Sequence, residues 1–142
     1  MNIITHVDFP AYRKPTRRKT LQFQQHVLET LFEAFTRINA AWLHSRKGVP
    51  LLYRSGIYYK REFSPEQWLD IPSIIAQGYD DCEGLACWLA AECRVRAPNS
   101  VGPHRRPHAC VVLKQTKPWL WHAIVEDKDT GERFDPSKRL GM

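Results

Sequence analysis

The apolar residues of this chain change their spacing along its length, and that change restricts the fold more than any other feature. Up to about residue 95 they recur every three or four positions. From His108 onward they fall in short β-branched and aromatic runs. The first spacing gathers side chains on one face of a helix, and the second sets them on alternate faces of a strand. Helices in front and strands behind predict an α+β chain with an antiparallel sheet.

Individual elements follow from the same signals. Val27, Leu28, Leu31, Phe35, Ile38 and Trp42 form a stripe that predicts a long scaffold helix from about Thr20 to Ser45, stopped by Gly48 and Pro50. Residues 51–63 are aromatic around Gly56 and fit a short strand or an extended loop. Ser64-Pro65-Glu66-Gln67 has the form of a helix start, and Asp70-Ile71-Pro72-Ser73 offers a second, with Gly78 placed to close that turn. Residues 82–95 predict another helix, capped by Asp80 or Asp81, with Cys82, Ala86, Leu89 and Cys93 on one face. Three prolines and a glycine make 97–107 a loop. His108–Leu113, Trp119–Glu126 and Glu132–Asp135 read as three strands, the last two joined at Asp129-Thr130-Gly131.

With 142 residues the chain is about one domain long. Folding at that size buries roughly 68–70% of the unfolded surface, enough for one core without staples. Hydrophobic residues at 43% and charged residues at 25% exclude wholesale disorder. No apolar run approaches the ~20 residues of a membrane span, and residues 1–25 hold no signal-peptide core. A soluble chain with reduced thiols is expected, and no membrane partner.

The net charge of +6 permits an anionic partner without requiring one. Arg13, Lys14, Arg17, Arg18 and Lys19 crowd a basic N-terminal arm, residues 1–19, ahead of a single domain over 20–142. Arg94, Arg96, Arg105 and Arg106 form a second group. The arm can bind nucleic acid weakly through salt-sensitive phosphate contacts, or simply be a solvated segment. The lack of an aromatic-rich binding motif favours the second.

Three residues combine in a way the rest of the chain does not. Cys82 begins a helix, His122 lies inside a strand, and Asp135 ends the next strand. The free amides of a helix start and a neighbouring imidazole both lower a thiol's pKa. A carboxylate on the far ring nitrogen fixes the tautomer. Adjacent antiparallel strands can set residues 13 positions apart side by side. These positions make Cys82, His122 and Asp135 a candidate triad for acyl chemistry, which needs no cofactor; the alternative is a small buried cysteine and a structural strand histidine.

Gly78-Tyr79-Asp80-Asp81-Cys82-Glu83-Gly84-Leu85-Ala86 resembles the nucleophile motif of the transglutaminase-like superfamily of cysteine peptidases and acyltransferases. Trp121-His122-Ala123-Ile124-Val125-Glu126 resembles that family's His strand, and Phe134-Asp135-Pro136-Ser137 its terminal element. The three blocks keep the family's order over roughly residues 50–142. The resemblance implies a transglutaminase-like, papain-like core with Cys82 as nucleophile, His122 as base and Asp135 as its orienter. Its substrate would be a protein or peptide, and hydrolysis is favoured over transamidation.

Pro50-Leu51-Leu52-Tyr53-Arg54-Ser55-Gly56, Trp68 and the closing Asp135–Met142 segment resemble more narrowly the small transglutaminase-like proteins of tailed bacteriophages and prophages. That implies expression in a bacterial cytoplasm, a place in the virion as a further option, and phage structural proteins as partners. Related folds complete the oxyanion hole with an upstream Gln, Asn or Trp, for which Gln67, Trp68 and Gln77 are candidates.

Two residues depart from the family pattern. Asp80 stands where a small residue is usual, and Gly84 where an acidic one is common. Asp80 beside Asp81 should raise the thiol pKa, and Gly84 should cost helix stability of about 1 kcal/mol. A weakened enzyme that uses the fold as a binding module is therefore a second reading, and a basic nucleic-acid-associated protein a third. His104, His108 and Cys110 supply three metal-type side chains, one short of a closed zinc site, and His108 rivals His122 as base. Cys87, Cys93 and Cys110, set among apolar neighbours, are expected in the core.

Overall fold

The computed structural model describes residues 18–62, 67–97, 101–117 and 120–142. Most of the basic arm, residues 1–17, lies outside them, as do Ser64-Pro65-Glu66 of the first candidate helix start. The chain runs through helix α1 (Arg18–Ser45), a 3-10 turn (Leu52–Arg54), strand β1 (Tyr58–Tyr59), α2 (Ile71–Gln77), β2 (Tyr79–Asp80) and α3 (Cys82–Val95). Strands β3 (Ala109–Lys117), β4 (Leu120–Asp127) and β5 (Arg133–Phe134) follow, and a final turn of helix, α4 (Pro136–Arg139), ends the order. The protein is α+β. Its main sheet is antiparallel in the order β3-β4-β5, and β1 and β2 form a separate parallel pair.

Helix α3 is the hub. It packs against α1 on one side and against β3 and β4 on the other. From Gly84 to Cys93 every one of its residues is buried, so it is a core helix wrapped on all sides rather than an amphipathic one. Trp88, Leu85 and Leu89 are fully buried, and Ala109, Val111, Ala123 and Val125 meet them from the sheet.

Helix α1 starts two residues earlier than its stripe predicts, so Arg18 and Lys19 belong to it. Its buried line also runs through other residues. Phe32, Thr36, Asn39 and Leu43 face the core, while Ile38 is 48% exposed. Two buried polar side chains shift the face. Asn39 accepts a hydrogen bond from the Ile71 amide at 3.1 Å, which ties α1 to the start of α2.

The smaller elements follow their local chemistry. Asp70 caps α2 by accepting from the Ser73 amide, Pro72 fills the first turn, and Gly78 closes the helix at φ +89°. Only Tyr58 and Tyr59 form a strand within the aromatic stretch 51–62. Strand β3 extends through Lys114–Lys117, beyond the predicted end at Leu113.

The second basic group is structural. Arg94 grips Glu33 of α1 with two nitrogens at 3.0 and 2.7 Å, and Arg106 bonds Asp127 at 2.7 Å. Arg96 donates to the Val49 carbonyl and Arg105 to that of Arg94.

Candidate active site

Cys82 is the first residue of α3. The Asp81 side chain caps the helix by accepting from the Glu83 amide at 3.3 Å, which leaves the chain's turn into the helix at the cysteine. The thiol is 8% exposed and donates to Glu83 Oε2 at 3.1 Å. The backbone N–H of Ala123 lies close enough to the sulfur to favour its charged form.

The sheet explains that contact. Ala123 stands opposite Leu113 in the β3–β4 register, and the Leu113 amide points away from β4 to Glu29 Oε1 at 3.0 Å. A residue pair whose amides do not bond each other turns both outward. The Ala123 N–H therefore faces the other edge of β4. There β5 pairs only with Val125 and Glu126, so the edge is open beside Ala123 and receives the start of α3.

His122 immediately precedes Ala123. Its Nε2 lies 2.9 Å from Asp135 Oδ2, with the two side chains 13% and 21% exposed. Asp135 follows β5 and caps α4, its second oxygen accepting from the Lys138 amide at 3.2 Å. One carboxylate is thus fixed by a helix start while it holds the imidazole. With Nε2 engaged, Nδ1 is the ring nitrogen that Asp135 leaves open. The structure joins His122 to Asp135 directly, and sets the Cys82 sulfur against the amide that follows His122.

The electrostatics depart from expectation. Burial, then the Glu83 carboxylate, pushes the Cys82 thiol well above its ordinary value. The Asp81 charge adds to the rise, and the Ala123 N–H opposes it. A thiol with a lowered pKa was expected from the helix start and the imidazole; the resting group is instead a protonated thiol. Asp80 has a different effect from the one expected of it. It is fully buried, and burial followed by the Asp81 charge pushes its carboxyl up to about 8, so at neutral pH it is mostly uncharged.

The two departures from the family pattern meet in space. Asp80 lies under the first turn of α3, where its Oδ1 accepts from the Asp81 amide at 3.0 Å. A methyl group on Gly84 would collide with the other oxygen of that carboxyl.

The three oxyanion candidates have other surroundings. Trp68 packs on α1, with ring centroids 5.0 Å from Phe32 and 6.0 Å from Phe35. The Gln77 amide donates to the Tyr79 carbonyl at 3.1 Å, and Gln67 is exposed. Sequence reasoning passed over two residues beside the thiol. Glu83 is visible only as the residue after the cysteine. Tyr59 is set opposite Asp80, next to the start of α3, by the β1–β2 pairing, which two residues of strand could not announce.

The competing sites come apart. His108 is exposed and bonds Asp129 at 2.9 Å. It lies six positions before Lys114, the partner of His122, or about 20 Å along the strand. Among the described residues no three His, Cys, Asp or Glu side chains are grouped to hold a metal ion, so His104, His108 and Cys110 are not brought together as ligands. Cys87 and Cys93 are buried as expected, but Cys110 is only half-buried, facing away from α3. Among the described residues no helix is long and apolar enough to cross a membrane.

Comparison with protein-family models, with curated proteins and with solved structures finds no match to this chain.

Proposed function

We propose that the protein performs acyl chemistry at an amide on a transglutaminase-like core, with Cys82 as nucleophile, His122 as base and Asp135 as orienter. The observation that carries this reading is the His122–Asp135 contact at 2.9 Å, with the amide of the next residue, Ala123, acting on the Cys82 thiol. Such a contact holds the imidazole in one tautomer and supports the charge it acquires.

Because the resting thiol is protonated, His122 takes its proton as the sulfur attacks, rather than storing a thiolate beforehand. The C–S bond forms, the carbonyl electrons move onto oxygen, and collapse expels the amine, which takes the proton from His122. Water then releases the acyl group. Hydrolysis is favoured over transfer to an amine, because nothing in a sequence of 142 residues advertises a separate amine-binding domain. The substrate is a protein or peptide. The bacterial cytoplasm, with the virion as a further destination, is the setting that the phage resemblance adds.

A second reading has its own support. Glu83 holds the thiol proton at 3.1 Å, which fits a weak or inactive enzyme serving as a binding module, with phage structural proteins as partners. The basic nucleic-acid reading depends mostly on residues 1–17, outside the described part.

Release of p-nitrophenolate from p-nitrophenyl acetate tests the enzyme reading. The expected result is release that disappears in Cys82→Ala and falls strongly in His122→Ala. Equal release by the wild type and Cys82→Ala would overturn it in favour of the binding module.

A further inference from the structure

The proposed reaction needs a donor for the developing oxyanion besides the backbone amide of the nucleophile. Of the candidates read from the sequence, Trp68 packs its ring on α1 and Gln77 is bonded to the Tyr79 carbonyl. We infer that the Tyr59 hydroxyl is that donor, and so a catalytic residue of the site. This rests on the Cys82 nucleophile proposed above.

The placement comes from the small parallel sheet. Tyr59 pairs with Asp80, and Tyr58 with Tyr79. Paired residues in a parallel ladder share a face, and neighbours along a strand alternate. Tyr58 and Tyr79 stack on each other at 5.8 Å between ring centroids, with Tyr58 52% exposed, so that pair marks the outer face. Tyr59 and Asp80 occupy the inner face. Asp80 is wedged beneath Gly84 in the first turn of α3, so its ladder partner Tyr59 faces the same helix start, two residues from the cysteine.

The backbone holds Tyr59 there from both sides. Its own amide donates to the Leu140 carbonyl at 2.9 Å, and the next amide, of Lys60, donates to the Asp80 carbonyl at 2.9 Å. The first bond anchors β1 to the end of α4, the helix that Asp135 caps. Tyr59 is thus pinned between the segment that carries the nucleophile and the segment that carries the orienting carboxylate.

Its chemistry suits the role. The phenol is half-buried among apolar side chains. Burial, then the Cys82, Asp81 and Glu83 groups, pushes it above its ordinary value, so the hydroxyl stays protonated and able to donate. It donates well to an oxygen whose negative charge appears only as the C–S bond forms.

Two probes of Cys82 separate this role from a structural one. Acylation by p-nitrophenyl acetate passes through a tetrahedral oxyanion: sulfur bonds the carbonyl carbon, the oxygen gains the electron pair, and p-nitrophenolate departs. Alkylation by iodoacetamide displaces iodide at carbon and forms no oxyanion. In Tyr59→Phe the acylation rate should fall at least about tenfold, and up to the roughly hundred- to thousandfold loss known for removing one donor. The iodoacetamide rate at Cys82, read by peptide mapping, should stay within about twofold, which also verifies the fold of the variant.

Unchanged acylation would overturn the assignment. So would a parallel loss of both rates, which would make Tyr59 a support for the thiol. Wild-type release that persists in Cys82→Ala would instead remove the nucleophile reading on which the assignment stands.

Discussion

Gly84 leaves open the space that the Asp80 carboxyl fills. A Cβ at residue 84 would run into Asp80 Oδ2 and press against the Ile74 side chain. Asp80 and Gly84 are therefore one structural feature. A side chain missing from the helix admits a carboxyl from the strand before it.

That relationship predicts a coupled pair of substitutions. Alanine at a helical glycine ordinarily gains about 1 kcal/mol. Gly84→Ala should instead destabilise, by about 1–3 kcal/mol, because Asp80 is fully buried and must be displaced. In Asp80→Gly the same alanine should regain its favourable sign. Denaturant unfolding of the four proteins checks this, and additive effects would show that the two residues do not share the space.

Asp80 should also shape the pH dependence of stability. Its carboxyl titrates at about 8 in the folded protein and near 3.8 in the unfolded chain. Between those values the folded state holds a proton that the unfolded state has released. Stability from this group is then greatest at low pH, declines as pH rises from about 4, and levels off above about 8. Asp80→Asn keeps the shape without the proton. Its melting temperature, relative to the wild type, should climb across that window, and parallel profiles would contradict the assignment.

Asp135 does two things at once, and two variants separate them. Asparagine caps a helix about as well as aspartate, whereas alanine loses about 1 kcal/mol. Asp135→Asn should keep the melting temperature near that of the wild type. It should still lower p-nitrophenyl acetate turnover steeply, up to the roughly 10⁴-fold seen when a triad carboxylate becomes an amide. Asp135→Ala should lose both. Full turnover in Asp135→Asn would reduce the contact at 2.9 Å to a structural one.

What the sequence made legible and what it hid have physical causes. Helix α3 was legible at both ends, because Asp81 caps it and its run of small and apolar residues has one reading. The strand order and the pairing of His122 with Asp135 followed from the turn at Gly131. The buried line of α1 was missed because Thr36 and Asn39 face the core, and a stripe of apolar residues cannot register polar ones. The thiol was expected to be acidic because helix amides and imidazole were visible in the sequence. Burial and the side-chain direction of Glu83 were not, and they reverse the sign. Tyr59 was hidden because its place comes from a two-residue ladder with Asp80, a contact across 21 positions that no period encodes.

Glu83 sets the final prediction. Its carboxylate accepts the Cys82 proton at 3.1 Å and, after burial, is the largest cause of the raised thiol pKa. A negative charge beside a thiol penalises the thiolate, so removing the charge must favour it. Glu83→Gln keeps a hydrogen-bonding side chain and the first-turn position while discarding the charge. The pH midpoint for iodoacetamide alkylation of Cys82 should move down by about one unit or more, equivalent to about 1.4 kcal/mol. The rate at neutral pH should rise about tenfold as a result. Cys87 and Cys93, buried against other partners, should keep their slow rates in the same digest. Esterase turnover separates two roles for the charge. If Glu83 only restrains the thiol, turnover rises with alkylation; if it also relays the proton toward His122, turnover falls while alkylation rises. An unmoved midpoint would show that burial alone holds the thiol proton.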